Sequence, residues 1–258
     1  MNYRIVVICA SEKRKKDTED EFKFFDIKAP VVYFDASTPS NSSIYLDSAR
    51  VDKSKLGGYC CGLSHMRALV DAAKDDAPEF TIIAEDDIAI NEYFIPVIEE
   101  FINNWETYMG KDKVANLGWA PQAYYKYYLP KQSYLKLSSA FGHKVFNTMM
   151  PFGTQAYMVR KKDIIPFVRF FNHSTFDSFY NYLMSHDFPD INKTHTLIHC
   201  DYYIPRILGP RLVFPPVAIE RQTQSIIQNI GINNESIWGN LFKDYETLRM
   251  EYYGNNIW

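Results

Sequence analysis

The chain alternates short apolar runs with stretches of helical period. Tyr3 to Cys9 (YRIVVIC) is rich in β-branched residues and predicts a buried strand. The charged residues 11–23 predict a helix, and residues 29–34 (APVVYF) a second strand ending at Asp35 and a polar loop, 36–43. From Leu63 the period becomes helical, with Leu63, Met66, Leu69, Val70 and Ala73 on one face and Ser64 near its start as a cap. Pro78 breaks this helix, and residues 80–84 (FTIIA) predict a strand that stops at Glu85-Asp86-Asp87. Residues 93–108 predict an amphipathic helix, with Pro96 tolerable only in its first turn. Residues 113–119 read as another strand.

Between Pro121 and Met150 the rhythm fails, and the segment reads as aromatic and irregular. A strand (153–160) and a helix (161–171) resume it, with a further helix expected at 176–185. Residues 195–200 and 211–214 read as final strands and 236–253 as a terminal helix. Strand and helix signals in alternation predict an α/β fold with a mostly parallel central sheet. We read residues 1–258 as a single domain. Its parts are a binding half (1–120), a second half (121–230) and a helical tail (231–258).

Composition changes this picture little. Apolar residues make up 47% and charged residues 23%, as in ordinary globular chains. Aromatic residues, at 16%, are abundant; Tyr and Phe faces suit sugar rings, but equally serve a core. A net charge of -3 gives no reason to expect a nucleic-acid partner. The basic run Lys13 to Lys16 lies among acids and reads as a solvated helix face. Cys9, Cys60, Cys61 and Cys200 show no zinc-finger spacing, which leads us to expect a reduced, cytoplasmic protein. No run is long and apolar enough for stable membrane insertion, and the start does not resemble a signal peptide.

Two places carry candidate chemistry. Ligands of open α/β sheets gather beyond the carboxyl ends of strands, where Glu85-Asp86-Asp87 falls. Three mutually repelling acids there suit a divalent cation bridging to a diphosphate; a solvated acidic turn beside a helix start is the other reading. The second place is His199-Cys200-Asp201, again at an expected strand end. Asp201 is the candidate catalytic base and His199 a candidate metal ligand, with a capping role for Asp201 as the alternative. Asp177, Asp187 and Asp190 are rival bases. Arg206, Arg211 and Arg221 are each candidates to meet a phosphate. His143 and His173 have no ligand spacing and read as surface or structural residues. The run Tyr124-Tyr125-Lys126-Tyr127-Tyr128 reads as a surface loop or as part of an acceptor face.

Gly57-Gly58-Tyr59-Cys60-Cys61-Gly62-Leu63-Ser64-His65-Met66-Arg67, followed by Ile82-Ile83-Ala84-Glu85-Asp86-Asp87, resembles glycosyltransferase family 25, the lipopolysaccharide-biosynthesis type. The strand Gly153-Thr154-Gln155-Ala156-Tyr157-Met158-Val159 is similar to the family's G-T-x-A-Y. Phe214-Pro215-Pro216-Val217 with Gln222, Gln224 and Ser225 is similar to its P-P-L-V…Q…S ending. Gly58 and Cys60 depart from the family's Glu and Gly. The resemblance implies a GT-A-type, Rossmann-like fold, a UDP-sugar donor (galactose, glucose or xylose), a glycan acceptor and inversion at the anomeric carbon. It also implies Mn2+ or Mg2+ held by Asp87, assisted by Glu85 or Asp86. Ser64 and His65 would line the donor pocket, and Ala10, Ser11 and Arg14 would face the nucleotide. The Asp201 region is one where the family also places an Asp.

The expectation is therefore a metal-dependent inverting glycosyltransferase, of bacterial or viral origin. The alternative is a catalytically silent carbohydrate-binding or scaffold protein of the same fold. A phosphohydrolase or nucleotidyltransferase would need more clustered acids or a glycine-rich phosphate loop.

Overall fold

A computed structural model describes residues 2–38, 56–118, 133–138, 143–147, 153–169, 200, 204, 207–214 and 216–220. The first apolar run forms β1 (Tyr3–Cys9), followed by α1 (Glu12–Phe24), β2 (Val31–Asp35) and α2 (Leu56–Ala72). Next come β3 (Phe80–Glu85), β4 (Ile88–Ile90), α3 (Phe94–Asn103), α4 (Trp105–Met109) and β5 (Val114–Gly118). The described remainder holds β6 (Tyr134–Lys136), β7 (Lys144–Asn147), β8 (Ala156–Arg160), α5 (Lys161–Val168), β9 (Pro210–Phe214) and β10 (Ala218–Glu220).

The strands form one sheet in the order β2-β1-β3-β8-β5-β9-β7-β6, with β10 bridging β4 and β5. Strands β2, β1, β3, β5 and β9 all run in one direction, so the sheet is α/β and largely parallel at its centre. Strand β8 is inserted antiparallel between β3 and β5. Alternation along the strands supplies two apolar faces. On one, Ile5, Val7 and Ile82 pack with Phe22 of α1 and with Phe94, Val97, Ile98 and Phe101 of α3. On the other, Val6, Ile8 and Ile83 pack with Tyr59, Met66 and Leu69 of α2 and with Ile164 and Phe167 of α5. The central strands are thus buried on both sides, as their unbroken apolar runs require.

Several expectations need correction. Helix α2 begins by Leu56, so Ser64 is an interior residue and not a cap. Gly57, Gly58 and Gly62 lie inside this helix, where burial of Tyr59 and Cys60 against the sheet outweighs their low propensity. The helix expected over 93–108 is two helices, broken at Asn104, with Pro96 in the first turn of α3. Strands β6 and β7 form a hairpin pair inside the segment expected to be irregular. The last residue of the strand expected at 195–200, Cys200, is helical, because its side chain packs with Ile204 and Leu208 onto the α2 face. The expected helices 176–185 and 236–253 lie outside the described residues, as do Tyr124–Tyr128.

Candidate functional site

The register brings the candidate residues to one edge. Ile8 of β1 pairs with Glu85 of β3, so Ala10 leaves β1 beside the acidic turn. Strand β8 runs the other way, so its entry, Thr154-Gln155, reaches the same edge, and the Glu85 amide donates to the Gln155 carbonyl at 2.9 Å. Gly153, before it, has φ +92°, and a Cβ there would overlap the Gln155 amide.

Asp86 and Asp87 are both buried. Asp86 Oδ2 accepts from the Ala10 amide at 2.6 Å, and the Thr18 hydroxyl donates to the Asp86 carbonyl at 2.9 Å. Arg14 Nη1 lies 3.3 Å from Asp86 Oδ1 and 3.1 Å from Asp87 Oδ2, one guanidinium against both acids. Burial raises the Asp86 carboxyl above its ordinary range, against the pull of the Ala10 amide and Arg14. Ser11 caps α1, its Oγ accepting from the Arg14 amide at 3.3 Å, which aims the helix start at the acidic turn.

Glu85 belongs to a second group. Its Oε1 lies 3.2 Å from Thr154 Oγ1 and 3.4 Å from His65 Nε2. His65 Nδ1 is 3.1 Å from the Tyr157 hydroxyl, and the two rings stack. Cys61, one helical turn before His65, lies with its Sγ 3.5 Å from Cys200 Sγ, which is 3.1 Å from Thr154 Oγ1. Burial works against charge on His65, but Cys200, Tyr157 and Glu85 carry its pKa well above the usual value. The Cys61 hydrogen bond, followed by His65 working against burial, holds the Cys200 thiol well below its usual value. Burial would raise Glu85, but its hydrogen bond with His65 keeps it low.

The structure thus brings Ala10, Ser11, Arg14, Asp86 and Asp87 together, with Glu85 and His65 in an adjoining group. Ser64 is turned into the fold: its Oγ donates to the Cys60 carbonyl and accepts from the Ser37 amide, both at 2.8 Å. Arg211 is at the opposite edge, at the start of β9, where it pairs with Asp112 at 2.6 Å and so does not meet a phosphate at this turn. His143 is buried against the Tyr93 ring. Asp201, His199, Asp177, Asp187, Asp190, His173, Arg206 and Arg221 lie outside the described residues. Sequence reasoning missed Thr18, and it gave no role to Cys61, Thr154, Tyr157 or Cys200, although each falls in a motif or constellation it singled out. The Cys61/His65 spacing of four on a helix was the legible signal.

Comparison with known protein families finds no match, and comparison with curated proteins finds none either. The resemblance to family 25 therefore rests on its motifs alone. Among solved structures, the chain is similar to a glycosyltransferase involved in glycosylation of the major capsid of PBCV-1. The identity is 9%, over 94% of this chain and 99% of that one, with a TM-score of 0.38. It is also similar to S. aureus TarS, with 10% identity over 98% and 73% and a TM-score of 0.37. A third similarity is to 4-diphosphocytidyl-2C-methyl-D-erythritol synthase from Anaerococcus prevotii, with 10% identity over 94% and 78% and a TM-score of 0.34. Superpositions this loose carry no chemistry across. Among the described residues no helix is long and apolar enough to cross a membrane.

Proposed function

We propose that the chain is a GT-A-type glycosyltransferase that binds a UDP-sugar at the carboxyl edge of β1 and β3 and passes the sugar to a glycan hydroxyl with inversion. The observation that carries this is the meeting of Arg14 and the Ala10 amide with Asp86 and Asp87 at the ends of two adjacent parallel strands. Parallel strand ends are where nucleotides bind in such sheets. Carboxylate oxygens are the hard donors that Mn2+ and Mg2+ take, so the donor set of Asp86 and Asp87 fits such an ion.

When bound, the metal supplies charge to a leaving diphosphate. The chain's own residues do the rest. Asp87 holds the cation, with Asp86 assisting while it fixes the β1 loop through the Ala10 amide. Arg14, released from the two acids, is placed to neutralise a phosphate. Ser11 keeps the α1 start, with its partial positive charge, turned to the same place. Asp201 is our candidate for the base that takes the acceptor's proton.

The ion pair of Arg14 with both acids also favours a second reading, a silent carbohydrate-binding protein in which the guanidinium replaces the metal for good. Calorimetric titration with a panel of UDP-sugars, with Mn2+ and then with chelator, separates the two. Saturable binding that needs Mn2+ and is lost in Asp87→Ala is the expected result. Absence of binding by any donor to the folded chain overturns the transferase reading.

A further inference from the structure

Cys61, His65 and Cys200 form a group that adjoins the acidic turn through Glu85, and the proposed transfer chemistry uses neither thiol. Their ligand atoms all lie within 4.8 Å of one another. We propose that they form a soft-metal site for Zn2+, separate from the hard-cation site at Asp86 and Asp87.

Three independent features support the assignment. Cys61 and His65 are four residues apart on α2, so both side chains project from one face of a rigid helix. Cys200 approaches from another part of the chain. Its Sγ stands 3.5 Å from that of Cys61, close to the ~3.8 Å that two thiolates keep around a tetrahedral zinc with Zn–S of about 2.3 Å. The imidazole is oriented in the manner of a metal ligand. Nδ1 faces the Tyr157 hydroxyl at 3.1 Å, and Nε2, 3.4 Å from Glu85 Oε1 and 3.5 Å from Thr154 Oγ1, is the nitrogen on the cluster's side. A second hydrogen bond of this kind is the usual means of fixing a ligating imidazole.

Thr154 Oγ1, 3.1 Å from Cys200 Sγ and 3.5 Å from His65 Nε2, borders the fourth position, with Glu85 behind it. Two thiolates and a neutral imidazole balance a dication, and binding releases the protons they carried. Sulfur donors select zinc over the Mn2+ and Mg2+ preferred by carboxylates, so each site takes its own ion. Such a metal would cross-link α2 to the Cys200 segment and hold Thr154 and Glu85 at the site edge.

The test uses the full chain purified without chelator. Elemental analysis should find about one zinc per chain. Replacement by Co2+ should give thiolate-to-cobalt charge-transfer absorption, which Cys61→Ser and Cys200→Ser each weaken and Asp87→Ala leaves in place. A second measurement needs no variant. Zn2+ should slow alkylation of Cys61 and Cys200, mapped by mass spectrometry, and leave the rates of Cys9 and Cys60 unchanged. The proposal is overturned if the folded chain binds neither Zn2+ nor Co2+. It is equally overturned if Cys61 and Cys200 label at the same rate with and without zinc, or if the cobalt bands vanish in folded Asp87→Ala.

Discussion

Arg14 touches both acids of the turn, so its removal acts in two directions at once. In Arg14→Ala the carboxylates of Asp86 and Asp87 lose the cation that now offsets their repulsion, and Mn2+ alone should bind more tightly than to the parent chain. The UDP-sugar should bind more weakly, by about tenfold or more, since a charge-assisted hydrogen bond contributes about 1.5–3 kcal/mol. Calorimetry of metal and donor separately reads both signs. A parallel fall in both affinities would mean that Arg14 only holds the turn in shape. The carboxylates themselves were legible in the sequence, because three acids closing an apolar strand have no packing reason to be there. Arg14 was named for the nucleotide, and its grip on the acids was not foreseeable, since it depends on the register of β1 against β3. Ser64 shows the converse. Its motif position drew attention, but a hydroxyl inside a helix can bond to the carbonyl four residues back, and here it does.

At the scale of elements, one ion-pair group joins two helices and a strand end. Arg160, the last residue of β8, binds Glu106 of α4 at 2.6 Å and Asp163 of α5 at 2.7 Å, and the Trp105 indole donates to Asp163 at 3.0 Å. The hydrogen bond from Arg160, followed by its charge, holds the Glu106 carboxyl below its ordinary value. A carboxyl lowered on folding adds stability above its unfolded pKa and loses it as pH falls through the folded one. Glu106→Gln should therefore melt lower than the parent at neutral pH, by a small margin because Glu106 is exposed. The two melting curves should converge in acid and in high salt. Thermal melts across pH check this. Helix α1 followed from its charged run with its ends nearly in place; the existence of α2 and α3 followed from apolar period, and their ends did not. The break at Asn104 and the early start of α2 are set by what Trp105 and Tyr59 bury, which no local pattern reports.

For the molecule as a whole, the sheet centre carries the fold. Ile82, fully buried in the middle of β3, packs under α1 and α3, and Ile82→Ala should cost about 2–5 kcal/mol, read by denaturant titration. The order of its strands was less legible than their existence. Apolar runs mark β1, β3, β5 and β8 plainly, yet a fully buried run reads alike whichever way it points, so the reversal of β8 was invisible. That reversal matters while the chain is being made. Until Ala156–Arg160 leaves the ribosome, the FTIIA strand has β1 on one side and an unpaired edge on the other. An apolar edge left open during synthesis is a template for pairing with other chains. A polypeptide ended before Ala156 would carry Glu85, Asp86 and Asp87 intact and still lack the strand that pairs with the open edge of β3, so it should emerge as aggregate.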